Sequence, residues 1–204
     1  MNALKETKKK HLLAILKYLY LHNSSTMNEL VENLQLSQPS IRNMVRTLQE
    51  KQLIQEVGND LSSGGRCPTR FALNEKNYLI LCLYVQVDKV IYQLRNFNEI
   101  KKEGILFYQS EDELKKTIKD LIDQEKIHCC QIAVEGIVYE DVYVTDHHNV
   151  LEKHQWLKDI KKEINIPLQL QNDVKMIHQG CYFTYQQDST YYLYINEVGI
   201  GSSY

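Results

Sequence analysis

The segment that follows Ser37 restricts most strongly what this chain can fold into. Serine favours the position just before a helix, and Pro39 fits the first helical turn, where its missing N–H is not needed. At 100° per residue, Ile41, Val45 and Leu48 then fall on one side of a helix. A helix with a single apolar face is stable only when that face packs on other elements, so the sequence predicts a small helical unit here.

Signals on both sides of this segment complete the unit. Apolar spacing predicts a first helix from about Lys8 to Leu21. Thr26 with Glu29 three residues later forms a capping-box pattern, which predicts a short second helix. After the third helix, β-prone residues at 53–57 and 71–73 are separated by turn formers, which predicts a hairpin. Three helices followed by a hairpin predict a winged helix-turn-helix.

The polar face of the third helix indicates a nucleic-acid partner. It carries Gln38, Ser40, Arg42, Asn43 and Arg46. Arginine pairs with guanine and asparagine or glutamine with adenine in the major groove, so we expect this face to contact double-stranded DNA. In the predicted wing, Gly65 and Arg66 would place an arginine in the minor groove. The alternative is a solvated helix face and a hairpin turn with a surface arginine.

Charge and pattern divide the chain into two expected domains, residues 1–75 and 76–204. Residues 1–70 carry 10 Lys and Arg against 6 Asp and Glu, which suits a polyanionic partner. The second domain alternates predicted strands and helices and is therefore an α/β domain with a mixed sheet. The expected strands are Tyr78–Val87, Val90–Phe97, Gly104–Tyr108, Cys130–Val134, Leu168–Leu170 and Tyr191–Ile195. The expected helices are Glu111–Gln124, Leu157–Glu163 and one that begins near Asp173.

Several classes of protein are not indicated. No stretch approaches the roughly 18 apolar residues of a membrane span, and no secretory signal is expected. The 5 cysteines form no Cys-x-x-Cys pair, which suggests reduced thiols in the cytoplasm. A metal site could be imagined from His147, His148 and His154 with Cys129, Cys130 or Cys181. Their spacing matches no zinc pattern, so we expect no metal and no cofactor.

Three motifs resemble the ROK family (repressors, open reading frames and kinases). The run 62–69 followed by Leu73-Asn74 is similar to the family's wing and linker. The run 132–138 resembles the family's strand and Pro-Gly turn, with Glu135 in place of the proline, and 166–173 resembles its Leu-Pro…Glu-Asn-Asp motif. The resemblance implies a ribonuclease-H-like lobe of the actin-like ATPase type after the winged helix-turn-helix.

The resemblance also implies sites. Asn149 lies near the family's sugar-binding asparagine, and Asn172 and Asp173 match its Asn-Asp pair, whose aspartate is the catalytic base in the kinases. These three residues are the expected site for a sugar or sugar-phosphate effector. The kinases also have an Asp-x-Gly-Gly-Thr loop for ATP, but the corresponding stretch here, residues 84–89, contains no glycine, so a phosphate cradle is not expected.

The resemblance covers nearly all of this chain but only the first two thirds or so of a usual relative. We therefore expect the family's second lobe to be absent. Three functions follow as alternatives: a ligand-responsive repressor of sugar-related genes, a constitutive or vestigial DNA-binding and dimerising module without an effector, and a sugar kinase, which the glycine-free loop disfavours. An open sheet edge and exposed apolar surface would favour a homodimer through the second domain.

Overall fold

The fold was analysed in a computed structural model of the 204-residue chain, which describes residues 2–59, 67–147, 150–185, 192–195 and 200–203. The chain divides into two compact units, Met1–Tyr78 and Leu79–Tyr204. No helix in these described ranges has the length and apolar character needed to cross a membrane.

The described residues of the first unit form three α-helices and three short strands. They are α1 (Asn2–His22), β1 (Ser25–Thr26), α2 (Met27–Leu34), α3 (Gln38–Glu50), β2 (Ile54–Asn59) and β3 (Thr69–Leu73). The three predicted helices are present, although α1 begins six residues earlier than its apolar spacing predicted. The predicted hairpin strands are β2 and β3, which pair antiparallel with a bulge after Glu56.

The core of the first unit joins the apolar faces of all three helices. Ile15, Leu19, Leu30, Ile41 and Leu48 are at most 1% exposed. Burial of that extent stabilises by about 1.5–3 kcal/mol for each aliphatic side chain. The inward stripe predicted for α3 is therefore confirmed, and Met44 joins it.

The second unit is built on a five-stranded sheet in the order β11-β7-β4-β5-β6. Its strands are β4 (Ile80–Val85), β5 (Lys89–Arg95), β6 (Ile100–Phe107), β7 (Cys129–Val134) and β11 (Leu168–Asn172). Strands β11, β7 and β4 are parallel, while β5 is antiparallel to both of its neighbours, so the predicted mixed sheet is confirmed. Strand β6 is longer than predicted, beginning four residues earlier.

Helices α4 (Glu111–Asp123) and α5 (Trp156–Glu163) contribute buried side chains to the core of this sheet. Leu114 and Ile118 of α4 and Trp156, Leu157 and Ile160 of α5 are at most 1% exposed. Trp156 donates from its indole N–H to the Tyr143 hydroxyl at 3.0 Å, which satisfies its polar atom within the core.

The region between β7 and α5 differs from its prediction. It forms a second, three-stranded antiparallel sheet of β8 (Ile137–Tyr139), β9 (Val142–His147) and β10 (Val150–His154), in the order β10-β9-β8. Periodicity does not predict these strands, because three to six residues give little periodicity when polar residues interrupt them. The chain continues through α6 (Asp173–Tyr185), β12 (Tyr192–Ile195) and β13 (Ile200–Ser203), of which β12 and β13 pair antiparallel.

Candidate functional site

The turn between α2 and α3 is fixed by local hydrogen bonds. The Thr26 side chain accepts from the Glu29 backbone N–H, and Glu29 accepts from the Thr26 N–H at 2.9 Å, so the predicted capping box is present. Helix α2 ends at Gln35, whose φ is 53°. Ser37 accepts from the Ser40 N–H at 3.4 Å and caps α3. The start of α3 is thereby set relative to α2.

The polar face of α3 lies open to solvent. All five predicted contact residues of this helix are exposed, namely Gln38, Ser40, Arg42, Asn43 and Arg46. Arg46 makes an ion pair with Glu50 at 3.7 Å between two largely exposed side chains. Such surface pairs contribute about 0–1 kcal/mol, so Arg46 can leave Glu50 for a stronger partner. The other two predicted residues, Gly65 and Arg66, lie outside the described residues.

A partly exposed ion pair joins the hairpin strand β3 to helix α2. The Arg70 guanidinium contacts Glu29 Oε2 at 3.2 Å and donates to the Ser24 hydroxyl at 3.2 Å. The Thr26 N–H is the main cause that lowers the pKa of Glu29, and Ser25 and Arg70 lower it further. Strand β1 adds a backbone connection, since Ser25 and Thr26 pair with Phe71 and Arg70. The base of the hairpin is therefore held against the helices.

A second polar cluster lies in the second unit at the carboxyl ends of the parallel strands. Tyr84 is the penultimate residue of β4, Glu135 follows β7, and Asp173 follows β11. The Tyr84 hydroxyl donates to Glu135 Oε1 at 2.8 Å and to Asp173 Oδ2 at 3.3 Å. Gln86 donates to Glu135 at 3.2 Å. Parallel neighbours end at the same edge of the sheet, which explains why residues so distant in sequence meet here.

Burial raises the pKa values of two groups in this cluster, the Tyr84 hydroxyl and the Asp173 carboxyl. Burial raises the pKa of the Tyr84 hydroxyl, and hydrogen bonding to Glu135 and the charges of Glu135 and Asp173 raise it further. Burial also raises the pKa of Asp173, against hydrogen bonds from the Val174 N–H and Tyr84 that lower it. Sequence reasoning named Asp173 but assigned no role to Tyr84. The sequence feature that could have drawn attention to Tyr84 is its place at the start of the stretch 84–89, which lacks the glycines of the kinases' ATP loop.

Asn172 and Asp173 begin helix α6. Asn172 Oδ1 accepts from the Lys175 N–H at 3.1 Å, and Asp173 Oδ1 accepts from the Val174 N–H at 2.8 Å. These bonds satisfy N–H groups of the first helical turn, which is a structural role for both residues. Asn172 also donates to the Gly136 carbonyl at 2.8 Å, so it joins α6 to the turn between β7 and β8.

Two cavities lie near this cluster. An open cleft of about 510 Å³ is lined by Gly136 and Asn172, which are sequence neighbours of Glu135 and Asp173, and by Gln171 and Lys175, among others. A smaller cavity of about 200 Å³ is lined by Glu135 itself together with Tyr108, Glu152 and His154. The third predicted effector residue, Asn149, is outside the described residues.

Of the side chains considered as metal ligands, His147, His148 and Cys181 lie outside the described side chains. His154 lies between the Glu111 carboxylate at 2.9 Å and the Thr145 hydroxyl at 3.0 Å, and its ring stacks on Tyr143 with centroids 4.5 Å apart. Among the described residues, no group of three or more His, Cys, Asp or Glu side chains is placed to hold a metal ion.

Tyr84→Phe is expected to destabilise the protein by about 1–3 kcal/mol at pH 7, because it leaves two partly buried carboxylates without their shared donor. A carboxyl whose pKa is raised on folding stabilises the folded state once protonated and loses that contribution as pH rises through its folded pKa. In the variant the pKa of Asp173 rises further, so the loss should shrink as pH falls towards about 4. Urea unfolding of the wild type and the variant between pH 7 and about pH 4 measures this loss of stability.

Tyr139→Phe is the matched control, since Tyr139 is 75% exposed and its hydroxyl should contribute little. A loss of stability in Tyr84→Phe that is equal at every pH would contradict the proposed sharing of the hydroxyl by the two carboxylates.

Comparison with known proteins gives one similar curated sequence and several similar structures. No protein-family model matches the chain. The xylose repressor of Staphylococcus xylosus is 23% identical over 180 residues, which are 79% of this chain and 46% of the repressor. A ROK family transcriptional regulator, a homologue of the E. coli MLC protein, matches 87% of this chain and 49% of its own with a TM-score of 0.69 and 17% identity. The ROK hexokinase of Thermus thermophilus matches 61% of this chain at a TM-score of 0.48.

These similarities bear on the fold and the family. The chain spans about half the length of the repressor and of the regulator that it matches. The likeness to the regulator extends over 87% of the chain, so it covers both the helical unit and the mixed-sheet unit. It shows that the chain has the fold of the matched part of the regulator. The chain is therefore similar in structure to a member of the ROK family, the family that its sequence motifs resemble.

Proposed function

We propose that this chain is a sequence-specific DNA-binding transcriptional regulator whose first domain, residues 1–75, is a winged helix-turn-helix. The observation that carries the proposal is the polar face of α3: five side chains suited to base and phosphate contacts are exposed together, while the opposite face is buried. The similarity to the xylose repressor supports a repressor rather than an activator.

The proposed complex places α3 in the major groove. Arg42 and Asn43 would contact base edges, and Arg46 would contact a base or a phosphate. The hairpin of β2 and β3 would carry Gly65 and Arg66 to the neighbouring minor groove. The Arg70–Glu29 pair would fix the direction in which that hairpin leaves the helices, since it joins β3 to α2.

The second domain, residues 76–204, would bind the effector and pair two copies of the chain. We place a sugar or sugar phosphate in the cleft beside Asn172, where Lys175 supplies the cation that a phosphate group requires. Asn149 and Asp173 complete the predicted set.

A kinase function is disfavoured by the position of Tyr84. Its hydroxyl donates a hydrogen bond to Asp173, and in a kinase Asp173 would have to accept a proton from a sugar hydroxyl. The same contact favours the alternative of a DNA-binding and dimerising module without an effector. Calorimetry with a panel of sugars and sugar phosphates distinguishes a ligand-responsive regulator from a module without an effector, because such a module gives no heat with any of them.

Selection of DNA from a random pool by the purified chain tests the proposed function directly. Enrichment of one sequence motif is expected. A homodimer with two-fold symmetry should enrich a palindrome whose half-sites are about one helical turn apart. Recovery of unenriched DNA at physiological salt would contradict sequence-specific binding. The proposed location of such a regulator is the cytoplasm.

A further inference from the structure

The small sheet of β8, β9 and β10 has one face that is open to solvent. Directly opposed residues of antiparallel strands point to the same side of a sheet. Ile137 is opposite Val144, Tyr139 is opposite Val142, and Leu151 is opposite Asp146. Because alternate residues of a strand share a side, these pairs all lie on one face. We call this face the outer face, and it comprises Ile137, Tyr139, Val142, Val144, Asp146, Leu151 and Lys153.

The other side of the same sheet is packed against the core. Tyr143 and Thr145 are buried, and Tyr143 accepts a hydrogen bond from the buried Trp156. The sheet is therefore anchored on its inner side, so the outer face is held in place by the fold.

The outer face is unusually apolar for a surface. Ile137, Tyr139 and Leu151 are 77%, 75% and 74% exposed. Three side chains of this size present roughly 400 Å² of largely apolar surface, which is within the range of the largest patch on a typical monomer, a patch that is often functional. A standard interface buries about 800 Å² on each partner, a little over half of it apolar, so this patch supplies most of the apolar part of one.

The charges on the outer face complement one another. Asp146 and Lys153 are exposed on the neighbouring strands β9 and β10. Two copies related by a two-fold axis across this face can bring Lys153 of each copy to Asp146 of the other. A surface that carries both signs beside an apolar patch is complementary to itself, which is the requirement for a symmetric dimer.

We propose that the outer face is the interface between two copies of this chain. The inference rests on the proposed homodimer and assigns it a surface. Ile137 also lines the cleft beside Asn172, so this interface borders the proposed effector site.

The test measures the oligomeric state of the full chain without DNA by sedimentation velocity at micromolar concentrations. The wild type should be a dimer, and Leu151→Glu should raise the dissociation constant by about tenfold or more, because each dimer would bury two unpaired carboxylates. The matched control is Leu13→Glu, which introduces the same charge at a residue that is 54% exposed on α1 of the first unit. This control should remain a dimer.

A charge exchange checks the predicted contact. Lys153→Asp should weaken the dimer, and adding Asp146→Lys in the same chain should restore it. Far-UV circular dichroism spectra at room temperature should be unchanged in every variant, since all of these side chains are exposed in the single chain. A monomeric wild type would overturn both the dimer and its surface and would leave the face to a different protein. A dimer that survives Leu151→Glu would overturn the surface alone. Neither result depends on whether the chain binds DNA.

Discussion

Replacing Arg42 and Arg46 by alanine is expected to abolish specific binding of this chain to its selected operator. Each side chain that contacts a base contributes about 1–3 kcal/mol, which corresponds to a loss of roughly 5- to 150-fold for each substitution. The two residues are four apart on α3, so they face the same groove and their losses should largely combine. Fluorescence anisotropy with the operator and with a scrambled duplex measures the loss and shows whether it is specific.

The fold should tolerate both substitutions, because the two side chains are exposed and Arg46 has only a surface ion pair. Lys126→Ala is the matched control, since it removes one exposed positive charge from the second unit. It should leave operator affinity nearly unchanged. Equal weakening by Lys126→Ala would mean that net charge, rather than the face of α3, determines the affinity. Unchanged affinity in the arginine double variant would disprove the proposal that α3 contacts the bases of the operator.

Gly136→Ala is expected to lower the free energy of unfolding by on the order of 2–5 kcal/mol. Gly136 has a φ of +105°, which side chains with a Cβ rarely adopt. An added Cβ would also lie 2.2 Å from the carbonyl oxygen of Val144 on β9, and that backbone atom cannot move without disturbing the small sheet. A shift of the turn that relieves this clash would also move the Gly136 carbonyl away from the Asn172 amide that donates to it. Denaturant unfolding gives the magnitude.

Gly180→Ala is the control, because Gly180 lies in α6 with open space where a Cβ would be. The same change in a helix interior should stabilise by about 0.5–1 kcal/mol. Opposite signs for the two glycines are expected. A neutral Gly136→Ala would show that the turn after β7 can relax, and the positioning of Asn172 by that turn would then have to be abandoned.

Much of the first unit could be predicted from the sequence because its signals are local. The caps at Thr26 and Ser37, and the apolar spacing of Ile41, Val45 and Leu48, depend on residues within a few positions of one another. The same holds for α4 of the second unit, whose predicted inward stripe is buried. The choice of Arg42, Asn43 and Arg46 as exposed residues followed from helical geometry alone.

Such local patterns could not predict contacts between distant segments. The pairing of β1 with β3 joins Ser25 to Phe71, and a strand of two residues is too short to show a periodic pattern. The three short strands of the small sheet are specified mainly by their partners, so the outer face and its exposed Ile137 and Leu151 appear only once the register is known.

Patterns among neighbouring residues were enough to predict the capped helices, the alternation of strands and helices in the second unit, and the motifs that resemble those of the ROK family. They could not predict that Tyr84 donates to Glu135 and Asp173, because these residues are 51 and 89 positions away from it. Helix caps and periodicity act over a few residues, whereas the end of a parallel strand gains its neighbours from the order of strands in the sheet.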